Sequence, residues 1–142
     1  MLPAREQIPR SYHRQGDYVR AVVINVDKSA KGPQVILSRT HPDFLRRLFE
    51  SEVPEIADKI VEVRAVSREA GARSKISVYS TDPRVDAVGS CVGLKGSRVQ
   101  SIVRELGGER IDIVPWSGDP AVFVSRALAP ARFHARAVRS AF

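Results

Sequence analysis

Residues 82–114 set the order of structural elements, and they read DPRVDAVGSCVGLKGSRVQSIVRELGGERIDIV. In their second half, apolar side chains recur at the spacing i, i+3, i+4 and i+7, which predicts an amphipathic helix ended by Gly107-Gly108. These apolar positions are Val99, Ile102, Val103 and Leu106. Upstream, Asp82-Pro83 predicts an N-cap and a first helical residue for a shorter helix through Val85 to about Cys91. Downstream, Arg110 to Val114 predicts a strand.

The loop between the two predicted helices is Gly93-Leu94-Lys95-Gly96, and its chemistry suits a phosphodiester backbone. The second helix directs unpaired N-terminal amides and the positive end of its dipole at the loop. The glycines lack Cβ atoms, so a ligand can approach the backbone closely. Lys95 and Arg98 are predicted to contact phosphates directly. A tight helix-to-helix turn with no ligand is the alternative, and the surrounding element order favours nucleic-acid binding.

Outward from this stretch, two alternating segments predict half-buried strands, Val61 to Ala65 and Lys75 to Tyr79, separated by a polar turn that contains Gly71. The order from Lys59 to Trp116 is therefore strand, strand, helix, helix, strand. Asp119-Pro120 repeats the cap-then-proline pattern and predicts a last helix reaching about Leu128.

The N-terminal third combines a predicted helix with a predicted hairpin. Apolar residues at helical spacing predict a helix between Pro42 and Ile60, with Asp43 as its cap. Its acids should face solvent or a basic neighbour; they are Asp43, Glu50, Glu52, Glu55 and Asp58. Tyr18 to Val26 and Gln34 to Ser38 predict a β-hairpin, which needs further packing because two strands alone are marginally stable.

Composition limits the function classes. The formal charge of +7 favours polyanionic partners, and four of the excess charges lie in an acid-free stretch from 126 to 142. These four are Arg126, Arg132, Arg136 and Arg139. No apolar run is long enough for a membrane span and no signal peptide is recognisable, so we expect a cytoplasmic protein without a membrane partner.

The cysteine, the histidines and the glycines do not occur at the spacings that catalysis or metal binding would require. Cys91 is the one cysteine and is expected to be a buried, inert thiol, and the three histidines are far apart in sequence, so no metal site or cofactor is predicted. No nucleophile elbow or Walker loop is present, and Gly89, Gly93 and Gly96 are spaced too widely for a dinucleotide turn. The sequence therefore predicts a protein that is not an enzyme and has no catalytic residues.

Several long motifs occur together in one order. The stretches 82–99 and 105–114 resemble the first KH domain of the NusA family of bacterial transcription factors. QVILSRT at 34–40 and FESEVPEI at 49–56 are similar to the end of that family's OB-type barrel and the following linker helix. The resemblance covers about residues 2 to 130 and implies an α+β fold. It implies a partial OB-type β-barrel (1–41), a linker helix with a type II KH domain of order α-β-β-α-α-β and a short last helix (42–130), and a basic tail (131–142).

The resemblance also implies a function. It predicts a monomeric RNA-binding protein that grips nascent single-stranded RNA through the Gly-x-x-Gly loop, with RNA polymerase as a partner, in pausing, termination and antitermination. The RNA-binding residues implied in this way are Val92, Gly93, Leu94, Lys95, Gly96, Ser97, Arg98, Ile111 and Ile113. Val99 joins Val92, Ile111 and Ile113 as a candidate for the base-binding groove, although the core is the more common place for any one of them.

Two other functions are compatible with the same elements. One is a protein-interaction module with a vestigial KH surface, in which the acidic helix from Asp43 to Asp58 docks on a basic partner. The other is a ribosomal or GTPase-associated KH protein, which would share the loop. The flanking motifs, above all the 109–114 segment ERIDIV, favour the NusA family.

Overall fold

The computed structural model describes residues 1–29, 31–32 and 34–129, and these residues form an α+β fold with two sheets. A hairpin of β1 (Val22–Asp27) and β2 (Gln34–Ser38) is the first sheet. The second contains β3 (Val61–Glu69), β4 (Arg73–Ser80) and β5 (Arg110–Pro115) in that spatial order. The α-helices are α1 (Pro42–Glu52), α2 (Pro54–Ala57), α3 (Ala87–Val92), α4 (Ser97–Glu105) and α5 (Pro120–Ala127). The predicted tail, 131–142, lies outside the described residues.

The order α-β-β-α-α-β predicted for a type II KH domain is confirmed by α1–α2, β3, β4, α3, α4 and β5. Strands β3 and β4 form an antiparallel hairpin, whereas β5 pairs with β4 in parallel. A parallel pair needs a long crossover connection, and α3 and α4 provide it. The loop between these two helices therefore lies within the crossover that leads to the sheet edge.

Two predicted helix starts were wrong. His41 caps α1, because its Nδ1 accepts a hydrogen bond from the backbone N–H of Asp43, and Asp43 belongs to the first turn. Asp82-Pro83 forms a turn, in which the Val85 N–H donates to the Asp82 carbonyl, and α3 begins only at Ala87. Cap-and-proline patterns occur in turns as well as at helix starts. At the last helix the pattern is confirmed, because the Asp119 carboxylate accepts from the Ala121 N–H.

Element lengths also differ from the predictions. The helix expected from Pro42 to Ile60 is two helices, because Pro54 has no N–H to continue the first one and instead begins the second. The first strand begins at Val22 and not at Tyr18. Conversely, β3 continues to Glu69, beyond the predicted end at Ala65.

One core joins the helices to the second sheet. Helices α1 and α2 contribute the largest share, and the fully or nearly buried apolar residues are Ile8, Phe44, Leu45, Leu48, Phe49, Val53, Ile56, Val61, Ile76, Val78, Cys91, Ile102 and Leu106. The stripe predicted for α4 is thus confirmed at Ile102 and Leu106, which are buried against this core. Among the described residues, no helix has the length and hydrophobicity needed to cross a membrane.

A buried ion pair fixes the turn between α4 and β5 against the β3–β4 hairpin. The side chains of Arg68 and Glu109 are both completely buried, and Arg68 Nε lies 3.0 Å from Glu109 Oε2. The Glu109 carboxylate also accepts from the Gly71 N–H at 2.8 Å and from Ser74 Oγ at 2.7 Å. Because Arg68 Nη1 donates to the His41 carbonyl, the same network holds the start of α1.

A second arginine connects the hairpin of the first sheet to the rest of the fold. Arg39 is buried, and its Nη1 donates both to the Arg20 carbonyl and to Glu105 Oε1. Its Nη2 donates to the Glu105 carbonyl at the end of α4. The guanidinium also lies 5.0 Å from the centre of the Phe44 ring. The packing that the isolated hairpin was predicted to need is therefore supplied in part by α1 and α4.

Candidate nucleic-acid interface

The Gly-x-x-Gly loop joins α3 to α4 and depends on both glycines. Gly93 has φ +76°, and a Cβ there would lie 2.9 Å from the backbone nitrogen of Arg98, closer than atoms can pack. Gly96 has φ +74°, but a Cβ there would meet only Gln100 Cγ, at 3.8 Å. Gly93 is therefore required for space as well as for its backbone conformation, whereas Gly96 is required for conformation alone.

The tip of the loop is open to solvent. The Leu94 side chain is 84% exposed and that of Lys95 is exposed as well. Lys95 itself has φ +54°, a left-handed conformation that costs a non-glycine residue roughly 1 kcal/mol. Lys95 therefore holds an exposed position at the tip, two residues before α4 begins.

The start of α4 adds a positive electrostatic end to this tip. The helix begins at Ser97 with Gly96 as its N-cap. Among the described residues no side chain caps it, and the Ser97 N–H donates to the Leu94 carbonyl, so the anion site is formed by the N–H groups that follow Ser97. Uncapped N–H groups and the helix dipole favour an anion by about 0.3 to 1 kcal/mol at an exposed site. Ser97 is exposed, so its hydroxyl is available at the same place.

Arg98, predicted to contact phosphate, makes two hydrogen bonds within the protein. Its Nη1 donates to Glu55 Oε2 at 2.9 Å and to the Ser90 carbonyl at 2.7 Å. The side chain thereby fastens the loop to α2 and to the end of α3, and its charge is neutralised by Glu55. A direct contact between Arg98 and phosphate stays a prediction.

The four predicted groove residues are brought together beside the loop. Val92, Val99, Ile111 and Ile113 are all partly buried and line one cleft of about 280 Å³. Three of them, Val99, Ile111 and Ile113, also pack against the core. Val99, Ile111 and Ile113 therefore contact the core on one side and the cleft on the other, and their role in binding bases stays a prediction.

Basic side chains border this cleft. Lys75 and Arg126 line it together with Asp112. The Lys75 ammonium lies 3.7 Å from Asp112 Oδ2 and donates to the Ala127 carbonyl, so it ties the end of α5 to the sheet. Lys75 is predicted as a strand residue but is not among the predicted RNA-binding residues. No local pattern marks it, because the parallel pairing of β4 with β5 is what places it opposite Asp112.

Cys91 lies two residues before Gly93, the first residue of the loop, but has no exposed surface. Burial, followed by the negative charge of Glu55, raises the pKa of its thiol to about 12, so the thiol stays protonated and unreactive near neutral pH. Within the part of the chain that the structure describes, no cluster of three potential metal ligands is found.

Three of the five acids predicted to face a basic partner pair with arginines of this chain. Glu50 Oε2 lies 2.8 Å from Arg47 Nη1, and Glu55 is paired with Arg98. Asp43 Oδ1 lies 3.8 Å from Arg46 Nε. These ion pairs reduce the negative charge of this surface, and the alternative function, docking on a basic protein partner, depends on that charge.

Comparisons with known proteins agree on one family. The profile described as NusA-like first KH domain matches residues 39–116. The chain is 57% identical over 132 residues to the transcription termination/antitermination protein NusA of Halalkalibacterium halodurans, covering 93% of this chain and 35% of that relative. It is 57% identical to the NusA of Bacillus subtilis, with 93% and 36% covered. For the NusA of Thermus thermophilus the identity is 48%, with 92% and 34% covered. The chain thus spans about a third of the length of the curated relatives it matches.

Proposed function

The chain belongs to the family of NusA-like first KH domains, and from this premise we propose that it binds single-stranded RNA through the Gly93–Gly96 loop and the adjoining groove. Because its relatives are named for transcription termination and antitermination, the RNA we propose is the nascent transcript. RNA polymerase is then the expected protein partner, and the cytoplasm, where bacterial transcription takes place, the expected location. We propose binding by a monomer and no catalytic step.

The observation that supports RNA binding most strongly is that the exposed Gly93–Gly96 loop adjoins an apolar cleft. The loop offers Lys95 and the uncapped start of α4 to a phosphate. Val92 is the last residue of α3, directly before the loop, and it lines the cleft together with Ile111 and Ile113 of β5. A single strand can therefore place its backbone on the loop while its bases contact the apolar wall, and such sites hold about four nucleotides.

We extend the proposal to the domain organisation. Residues 1–41 would be part of an OB-type barrel, since Met1 donates from its amino group to the Val35 carbonyl and its own carbonyl accepts from the Leu37 N–H, which lays the N-terminus along β2. Residues 42–130 would form the linker helix and KH domain. RNA contacts of the hairpin would then add to those of the KH groove.

A double substitution at the loop tests the proposal. Lys95→Asp/Gly96→Asp should weaken binding of labelled single-stranded RNA by at least about tenfold, measured by fluorescence anisotropy over a salt series, which corresponds to 1.4 kcal/mol. Both positions have positive φ, a conformation that Asp tolerates better than most residues, and neither side chain meets packed atoms. The fold should therefore persist, as judged by circular dichroism and thermal unfolding.

The matched control is Ala57→Asp/Lys59→Asp, at the end of α2. It makes the same change of three charge units at two exposed positions, and Lys59 shares with Lys95 the left-handed conformation, at φ +61°. We expect this control to bind RNA nearly as well as the wild type. Equal binding by the loop variant and the wild type, or an equal loss in the control, would reject the loop as the binding site.

A further inference from the structure

A second cleft continues the groove away from the loop. Its volume is about 400 Å³, and it shares Val99, Ile111 and Asp112 with the first cleft. The remaining lining residues are Arg73, Gln100, Val103, Gly108 and Arg110. Because the shared residues join the two clefts, they form one groove along β5, the strand at the edge of the described sheet.

Two arginines lie side by side at the far end of this groove. Arg73 begins β4 and Arg110 begins β5, and the parallel register makes them direct neighbours. Both are exposed, and in the described part of the chain neither takes part in an ion pair. Like charges directly opposite each other destabilise a sheet, so this end of the groove gains from a bound anion.

The nearby acids do not neutralise the two arginines. Glu109 precedes Arg110 but is completely buried and paired with Arg68. Asp112 has Lys75 as its neighbour, at 3.7 Å. Glu69 stands opposite Arg73 in the β3–β4 register, yet no ion pair forms between them within 4.0 Å. The guanidinium groups therefore keep their charge for a ligand.

The cleft between the arginines and the first groove can accept a nucleotide. Val99, Val103 and Ile111 provide an apolar wall, which suits the face of a base. Gly108 has φ +100° and no atom within 4 Å of the place where a Cβ would be, so a ligand backbone can pass close to it. Arginine forks bind phosphate oxygens with two parallel hydrogen bonds, so the chemistry favours a phosphate at Arg73 and Arg110.

We propose that Arg73 and Arg110 form a second phosphate clamp, which holds the RNA backbone just beyond the segment held by the Gly93–Gly96 loop. This inference rests on the proposed function of the groove. The loop and the clamp lie near opposite ends of α4, whose nine residues span roughly 13 Å at 1.5 Å per residue. At the 3.4 Å rise of a helical strand this length corresponds to about four nucleotides, and an extended strand covers it with fewer. A tetranucleotide seated on the loop and the first cleft therefore leaves few phosphates for the clamp, whereas an octamer supplies phosphates to both.

RNA length separates the clamp from the loop. Wild-type protein and the variant Arg73→Gln/Arg110→Gln are titrated with randomised single-stranded RNA pools of four and eight nucleotides, using NMR amide shifts for the weaker ligand. We expect the octamer affinity to fall at least fivefold, and the tetramer affinity to change less than twofold. The plot of log affinity against log salt for the octamer should become shallower by about 1.4, the slope for two phosphate contacts on a single strand.

The control variant is Arg47→Gln/Lys59→Gln, which removes the same charge from exposed positions on α1 and after α2. An equal loss of octamer affinity in both variants would mean that only net charge matters and would overturn the clamp. An unchanged octamer affinity in the Arg73/Arg110 variant would overturn it too. Thermal unfolding checks folding: the variant should be as stable as the wild type or more stable at low salt, because a repulsion is removed.

The two proposals fail in different ways. If the wild type binds neither pool, or if the Lys95→Asp/Gly96→Asp variant binds the tetramer like the wild type, then the proposed function of the loop is wrong. If the loop variant loses tetramer binding while the Arg73/Arg110 variant keeps full octamer binding, then only the clamp is wrong.

Discussion

Replacing Glu109 with Gln should be among the most destabilising isosteric changes in this fold, although its side chain is buried away from the proposed RNA groove, which Gly108 and Arg110 line. The substitution keeps the shape of the side chain but removes its charge. Four hydrogen bonds converge on the two carboxylate oxygens, from Arg68 Nε and Nη2, Gly71 N–H and Ser74 Oγ. An amide group offers only one oxygen, so at least one of these donors would face another donor.

The magnitude follows from burial. Both side chains of the Arg68–Glu109 pair are 0% exposed, so the substitution leaves the Arg68 charge without a counter-ion in the interior. Removing one partner of a buried pair costs about 3 to 5 kcal/mol. With a urea dependence of about 2 kcal/mol per molar, a cost of about 4 kcal/mol lowers the midpoint of urea unfolding by about 2 M.

Urea unfolding followed by circular dichroism measures this change. Glu62→Gln is the matched control, because Glu62 pairs with Arg64 on the surface, where both side chains are about 40% exposed and such a pair contributes less than about 1 kcal/mol. The double variant Arg68→Met/Glu109→Gln should recover part of the loss, since no unpaired charge remains. Two results would refute this reasoning. One is a loss of unfolding free energy below about 1 kcal/mol in Glu109→Gln; the other is a double variant whose loss equals the sum of the losses of Arg68→Met and Glu109→Gln.

Two further predictions concern pH and the C-terminal tail. The hydrogen bond from Ser38, opposed by burial and assisted by a hydrogen bond from Thr40, holds the pKa of Glu6 below its ordinary value. The ionised Glu6 therefore stabilises the fold above its unfolded-state pKa, and this stabilisation is lost as the pH falls through its folded-state pKa. In thermal unfolding, the stability difference between the wild type and Glu6→Gln should therefore be largest near neutral pH and shrink as the pH falls through the folded-state pKa of Glu6. A difference that stays constant with pH would contradict this. Removing the residues after Leu128 takes away Arg132, Arg136 and Arg139 and should weaken RNA binding mainly at low salt, where charges are least screened; an unchanged low-salt affinity would exclude a contribution from the tail.

The order of elements could be predicted because it depends on local patterns. The apolar stripe of α4 and the alternation of apolar and polar residues in β4 and β5 determine which face of each element is buried, and these patterns do not depend on the rest of the fold. Helix boundaries were less predictable, since a proline can end one helix and begin the next. Pro54 does both within a few residues, and Asp82-Pro83 has the composition of a cap but forms a turn.

The parts of the candidate site differ in the same way. The loop could be located from its two glycines, because their positive φ angles are local properties of the backbone. The role of Arg98 could not, because its partner Glu55 lies 43 residues earlier and only the packing of α2 beside the loop brings the two together. A long charged side chain can pair with any group that the fold brings near it, and such a partner cannot be identified from the spacing of residues in the sequence.

Arg98 and the Arg73–Arg110 pair illustrate how this affects the assignment of function. From the sequence, Lys95 and Arg98 are the predicted phosphate ligands; in the structure Arg98 pairs with Glu55, which offsets its charge and anchors the loop. Arg73 and Arg110 are 37 positions apart and belong to no motif, yet the parallel register makes them neighbours. Among the described residues, neither of them forms an ion pair with an acid. A basic residue is available to RNA when the fold leaves its charge unpaired at a groove. By that criterion, Lys95 and the two strand-end arginines, more than Arg98, are where RNA affinity should be sought.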